Sequence, residues 1–441
     1  MITSLAALLD RMRQLGATRV YSKNLAPNDN SKNQVYLGGG FGALNIIPHG
    51  SIEIDTRPLA GSKRERPKAK VTFSWIDRDG IYLAPHTQLV LYPDYPEVRI
   101  SGFLKQSERA PSHVMAVRDR GRVLVLGMRP DGHVLGYAAA AESAIALEIL
   151  AGSWETIGVF SELPLSLTAK RADPKTVLLE ELKRIHNLHW IPSQKLGRNG
   201  LKEPYAARNG GGYTLEAELG IRPNGDAEPD FMGWEVKQYG VANFVKFAPK
   251  SPVTLMTPEP TGGVYRDAGV TTFLKRFGYP DKRGKPDRIN FGGVYSCGKS
   301  SHPDTGLSLF VDGFNNAKGK ITDIDGGLML KDINGEIAAE WSFKGLLEHW
   351  NRKHAQAVYV PSIAEANPPR YAYGNQVLLC EGTDFILFLK AVAAGVIYYD
   401  PAIKLEGASG PITTLKRRSQ FRVKHQHLAT VYHKNDIVFL S

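Results

Sequence analysis

The chain has 441 residues, enough for two or three domains with separate cores, and its 42% apolar and 22% charged composition excludes a disordered polymer. A net charge of +11 suits a polyanionic partner, although a merely soluble basic protein would show it too. Cys297 and Cys380 belong to no CxxC or Cys/His pattern, which excludes a zinc finger or disulfide scaffold and predicts a reduced, cytoplasmic setting.

The first residues, MITSLAALLDRMRQLG, predict an amphipathic helix, with Leu5, Leu8, Met12 and Leu15 at helical spacing and Asp10, Arg11 and Arg13 between them. No apolar run reaches membrane-spanning length, so a soluble protein with no membrane contact is expected. The stretch QVYLGGGFGALN places Gly38, Gly40 and Ala43 in a G-x-G-x-x-A pattern. Ile46, Ile47 and Pro48 leave no room for the helix that a dinucleotide site needs, and that reading is rejected. Residues 61–70, GSKRERPKAK, read as a solvated loop. Short alternating segments follow: KVTFSWI, with Val71, Phe73 and Trp75 on one face, then QLVLY and EVRISGF. A Pro-Asp-Gly turn within RGRVLVLGMRPDGHVLGY predicts a hairpin, and AAAESAIALEILAG predicts a helix. Many short strands with turns between them suggest a small barrel.

A polar stretch at about 166–176 reads as a linker, which divides the chain into a domain at 1–165 and another at 177–441. Asp173 can cap a helix with Pro174 at its first position, and Val177, Leu178, Leu182 and Ile185 form its apolar stripe. Beyond that helix, strands and helices mix up to a basic C-terminus.

The stretch EPDFMGWEVKQYG, residues 228–240, carries the most chemistry. WEVKQY reads as a strand, with Trp234 and Val236 on one face and Glu235 and Lys237 on the other. A turn or bulge at Gly233 would return Asp230 to that charged face. Two carboxylates can hold a hard cation such as Mg²⁺, and a nearby ammonium can orient a water or contact a phosphate. The bland alternative is an ion pair on a surface strand. Glu216 lies upstream on a helix, with Glu218 competing for the same part. Downstream, TPEPTGGVY offers Glu259 as a supporting group and Gly262–Gly263 for close backbone approach, or only a turn.

The run TLEAELGIRPNGDAEPDFMGWEVKQ followed by TPEPTGGVY resembles the catalytic core of MvaI/BcnI-type restriction endonucleases, PD-(D/E)XK enzymes related to the nicking enzyme MutH. The resemblance implies an α/β domain with a mixed sheet. Asp230, Glu235 and Lys237 would be catalytic, Asp230 and Glu235 the Mg²⁺ ligands, and Glu216 or Glu218 the supporting acid. It implies a monomer that cuts double-stranded DNA, one strand after the other.

The tail KRRSQFRVKHQHLATVYHK is the densest basic segment. As one strand it would share Arg418, Gln420, Arg422, Lys424 and Gln426 on a single face, and His425 and His427 could add base contacts. A solvated basic edge strand is the alternative.

In the first domain, RVYSKNLAPNDNSKNQVYL and EVRISGFLKQSERAP resemble the EcoRII effector domain, a B3-like pseudo-barrel that holds DNA between two arms. The arms would carry Lys23, Asn28, Lys32 and Asn33, and Lys105, Gln106 and Arg109. The whole then reads as an α+β and α/β chain: a B3-like effector domain fused to an MvaI/BcnI-like nuclease. The two resemblances imply a type IIE enzyme with two DNA sites, acting on CCNGG-type sequences and CCWGG in particular.

Overall fold

The computed structural model describes the chain apart from residues 1, 31–33, 56–65, 94, 166–173, 198, 208, 223–229, 354–355 and 441. Two compact units separate at Met1–Ala172 and Asp173–Ser441. Most of the expected linker, including Asp173, lies outside the described residues. Among those described, no helix is long and apolar enough to cross a membrane.

The first unit opens with the helix Leu5–Gln14, whose Ser4 hydroxyl caps the Ala7 N–H. Leu5, Leu8 and Met12 are buried from it, in a core that includes Val20, Val125, Leu135 and Ile149. That core lies against a seven-stranded sheet in the order Glu155–Ile157, Phe160–Leu163, Arg19–Asn24, Val123–Met128, Val134–Ala139, Phe73–Ile76 and Ile81–Leu83. The expected hairpin is there, with Met128 opposite Val134. The helix expected after it spans Ala144–Ala151.

A second sheet of five strands runs Val35–Gly39, Glu97–Ser101, Gln88–Tyr92, Arg66–Lys70 and Ile52–Asp55, every pair antiparallel. Arg66–Lys70 is thus a strand, not part of a loop, because its alternation buries Pro67 and Ala69. After Val35–Gly39 comes only a 3-10 helix, Gly42–Asn45, and not the α-helix that a dinucleotide site needs. The expected barrel does not close among the described residues. Both sheets end in strands with a single partner, which leaves two open, twisted layers.

The second unit is a mixed α/β assembly. Its helix Pro174–Asn187 buries Leu178, Leu182 and Ile185. The main sheet runs Ile191–Pro192, Pro369–Tyr373, Gln356–Ala366, Gln376–Glu381 and Lys434–Phe439, all antiparallel. The strand Glu235–Gly240 joins it as a parallel partner of Gln356–Ala366. Leu215, Trp234, Val236, Val358, Val360, Tyr373 and Leu379 pack together on one face of this sheet. A three-stranded sheet beside it places Phe421–Val423 between Val253–Met256 and Ile397–Tyr399.

Candidate active site

Period-two alternation decides where the charged groups of Glu235–Gly240 go. Trp234 and Val236 enter the apolar cluster, which sends Glu235 and Lys237 to the opposite face. That face is not open solvent. Glu235 is 2% exposed and Lys237 half-buried, and the Lys237 ammonium is ion-paired to the Glu235 carboxylate.

Asp230 reaches the same strand through a tight turn. Phe231 and Trp234 exchange both backbone hydrogen bonds, at 2.9 and 2.8 Å, around Met232 and Gly233. Both central residues have positive φ, 46° and 90°, as in a type I′ turn, and glycine meets that demand at no steric cost. The turn folds the chain back so that Asp230 Oδ2 accepts the Val236 N–H at 3.0 Å. Gly233 therefore has the part the sequence suggested for it.

The helix Gly210–Glu218 rests on this strand, and its glycines allow a close approach. A Cβ at Gly211 would lie 3.0 Å from the Gln238 side chain, and the Gly211 carbonyl accepts the Tyr373 hydroxyl at 2.7 Å. Glu216 and Glu218 project about 200° apart around this helix, on opposite sides. Glu218 is occupied: its carboxylate accepts from Gln194 Nε2 at 2.6 Å and from Lys202 Nζ at 2.5 Å, with Arg184 at 3.5 Å. Glu216 is half-buried.

Two residues that the sequence did not single out lie on the Lys237 side of this strand. Tyr359 and Tyr432, both buried, join hydroxyls at 2.9 Å. Burial raises both hydroxyl pKa values far above the ordinary range, and the Glu235 charge adds to each shift. Their distance in sequence from Glu235 hides them, since only the strand register brings Tyr359 opposite Lys237.

The TPEPTGG segment is a packing device. The Tyr265 hydroxyl donates to the Glu259 carboxylate, and Gly262 bridges to Glu340 in the strand Ile337–Ser342. Trp341 Nε1 donates to the Pro258 carbonyl at 3.0 Å. Gly263, at φ 72°, has the Ile337 carbonyl 2.7 Å from where a Cβ would sit.

The basic C-terminal segment differs from expectation. Between Arg418 and Gln426 only Phe421–Val423 is strand, and a 3-10 helix begins at His425, so residues 418–426 share no single face. The strand is central in its sheet and not an edge, and of the residues expected on one face Gln420 is buried and Arg422 half-buried. Gln420 is 4% exposed and accepts from the Thr254 hydroxyl at 3.2 Å. The Arg422 guanidinium is held by Asp400 at 2.7 Å and by the Pro252 carbonyl at 2.6 Å. Arg418 and Lys424 are exposed, whereas His427 is half-buried beside Gln426 at 3.2 Å. His425 packs on Tyr239, ring centroids 4.2 Å apart, and its burial lowers its pKa.

In the first unit Lys23 is likewise no arm residue in this structure. Its side chain is 5% exposed and paired with Asp29 at 2.6 Å. Asp29 also accepts the N–H groups of Ala26 and Tyr36, which ties the loop down. Asn28 is exposed, while Lys32 and Asn33 lie outside the described residues. Lys105 and Gln106 are exposed, with Gln106 meeting the His86 ring. The exposed Arg109 donates to the Tyr82 hydroxyl at 3.0 Å and pairs with Asp77 at 3.4 Å.

The family model of the MvaI/BcnI restriction endonucleases matches residues 179–432. Among solved structures the chain is similar to restriction endonuclease MvaI with its cognate DNA substrate. That match is 18% identical, covers 61% of this chain and 99% of the other, and has a TM-score of 0.43. It is also similar to MvaI in the absence of DNA, at 18% identity, 62% and 100% coverage and a TM-score of 0.34. A comparison with curated proteins gave no match. With more than half of its residues matched, from the helix Pro174–Asn187 to the 3-10 helix at His425, the chain belongs to the MvaI/BcnI restriction endonuclease family.

Proposed function

We propose that this protein is a type II site-specific DNA endonuclease of the PD-(D/E)XK kind. In this reading Asp230, Glu235 and Lys237 are catalytic and Glu216 is the supporting acid. The observation that carries it is the folding back of Asp230 onto Val236, between a buried carboxylate at Glu235 and an ammonium at Lys237. Among the described residues no three His, Cys, Asp or Glu side chains are close enough to share a metal. Two carboxylates nevertheless fit Mg²⁺, which takes oxygen ligands and keeps several waters.

Asp230 and Glu235 would hold the ion. When bound, Mg²⁺ would lower the pKa of a water and offset charge building on the scissile phosphate. Lys237 would contact the phosphate or orient the attacking water. Trp234 and Val236 fix the strand so that these groups keep their aim.

The finer reading follows the two resemblances. The first unit would be a B3-like effector module that binds a second DNA copy, making a type IIE enzyme that acts as a monomer in the cytoplasm. The target would be a CCNGG-type site, CCWGG foremost, cut to 5′-phosphate ends. A MutH-like nicking enzyme is the second reading, and it would stop at open circles.

Digestion of a mapped plasmid in Mg²⁺, with the ends sequenced, tests this. Asp230→Ala and Lys237→Ala should each lower cutting by roughly 10²–10³-fold or more while DNA binding persists. Cutting that survives both substitutions places the active site elsewhere. Two-site plasmids should be cut faster than one-site plasmids, and equal rates would end the effector reading.

A further inference from the structure

The strand Glu235–Gly240 runs into a loop, 241–249, that is tied down on both sides. Val241 and Pro249 form a bridge, and the Lys250 N–H donates to the Gly240 carbonyl at 2.8 Å. The Val241 N–H donates to the Ser362 carbonyl of the strand Gln356–Ala366, also at 2.8 Å. Just beyond the loop the Arg422 guanidinium donates to the Pro252 carbonyl at 2.6 Å, and the Thr254 hydroxyl donates to Gln420 at 3.2 Å. Gln420 and Arg422, expected to reach DNA themselves, brace the base of this loop instead.

The loop is also held from within. The Asn243 side-chain oxygen accepts the N–H groups of Val245 at 3.0 Å and Lys246 at 2.9 Å, which closes the tip. Phe244 and Phe247 pair with ring centroids 5.9 Å apart and rest on Gly374, where a Cβ would lie 2.9 Å from one ring and 3.0 Å from the other. Phe247 has a φ of 49°, a left-handed value that a bulky residue keeps only where its surroundings impose it. The two rings account for the shape of the loop but not for its tip, where Val245 is 87% exposed beside an exposed Lys246. Lys250 is exposed as well. Charge indicates what the tip meets: between Lys237 and Glu259 the chain carries Lys246 and Lys250 and no acid, which suits a polyanion. Three residues separate Lys237 from Gly240, about 10 Å of strand. Phosphates along one strand of B-DNA succeed each other every 3.4 Å or so of helix axis, about three of them in that distance, so a duplex held at Lys237 offers the loop further phosphates.

We propose that the loop 241–249 is a finger that holds DNA beside the cut, with Lys246 and Lys250 on backbone phosphates and Val245 packed against the backbone wall of a groove. The proposal rests on Asp230, Glu235 and Lys237 being the cutting site. The finger takes no part in the chemistry and contributes only to holding the duplex.

The test compares full-length Lys246→Ala, Lys250→Ala, Val245→Asn and Val245→Asp with the parent protein on a duplex that the parent cuts. Single-turnover cleavage in Mg²⁺ is followed across enzyme concentration at several salt concentrations, and melting temperature is read alongside. Cleavage reports on binding at the cutting unit, whatever DNA the first unit holds. Each lysine substitution should raise the half-saturating enzyme concentration roughly 3–10-fold and make its logarithmic salt slope shallower by about 0.9, the share of one phosphate contact. Val245→Asn and Val245→Asp differ in charge and hardly in size, so a gap of roughly tenfold between them, with Asp the weaker, reads an acid set against phosphates. The maximal rate should stay within about twofold, because the tip meets no reacting group, and melting within about 2 °C, because the three side chains are exposed.

Parental half-saturation and salt slope in both lysine variants overturn the proposal, as does an equal effect of Asn and Asp at position 245. So does weakened cleavage that follows a fall in melting temperature, since the loop would then only support the fold. Asp230→Asn, run alongside, separates the two levels. If it still cuts, the active-site reading and the proposal fall together. If it is inactive while the finger variants behave as the parent does, only the proposal falls.

Discussion

Glu218 and Lys202 form an ion pair at 2.5 Å in which the carboxylate is 5% exposed and the ammonium side chain 43%. The pair fixes one acid of the helix Gly210–Glu218 to a structural task. The sequence points to Glu216 as the supporting acid with Glu218 competing, because both precede Asp230 on the same helix. The two acids point to opposite sides of the helix, and Glu218 is held by Gln194 and Lys202.

Glu218→Ala should therefore cost stability, on the order of 1–3 kcal/mol, because Gln194 and Lys202 lose their acceptor. Glu216→Ala should instead slow cleavage. Thermal melting and a cleavage assay on both variants check this, and the reverse pattern would exchange the two roles.

Lys23 and Asp29 make a similar distinction in the first unit. With both side chains about 5% exposed, Lys23→Ala leaves a buried, unpaired carboxylate and should destabilise that unit by about 3–5 kcal/mol. Lys105→Ala, on an exposed side chain, should leave melting unchanged and weaken DNA binding if that segment is an arm. Calorimetry with a DNA-binding assay tells the two apart.

Stability should also fall with acid in a way that involves His425. Burial lowers its folded-state pKa below the unfolded value of about 6.5. The unfolded chain then binds the proton more readily, so the contribution of His425 is complete above the unfolded pKa. It is lost as pH falls through the folded pKa. Melting temperatures measured from neutral to mildly acidic pH should decline, and His425→Gln should flatten that slope. An unchanged slope would show that the ring is not held neutral.

What the sequence revealed was what local chemistry decides. The strand at Glu235 follows from alternation between Trp234 and Lys237, and the turn at Gly233 from glycine's tolerance of positive φ. The hairpin at Pro130–Asp131–Gly132 is of the same kind. The C-terminal segment was misread because its alternation from Arg418 to Gln426 is real, but its neighbours are remote. The strands Val253–Met256 and Ile397–Tyr399 flank Phe421–Val423, and they determine that Gln420 is buried and Arg422 bound. Lys23 failed for a nearer reason. A lysine on a strand looks like a surface residue until a buried Asp29 six residues later claims its charge.

The parallel pairing of Glu235–Gly240 with Gln356–Ala366 gives the protein a built-in delay. A ribosome making this chain emits Asp230, Glu235 and Lys237 long before it emits the strand that holds them. A prematurely ended product would carry every one of those groups and no sheet to aim them. If those groups are the cutting site, cutting would begin only with a completed fold.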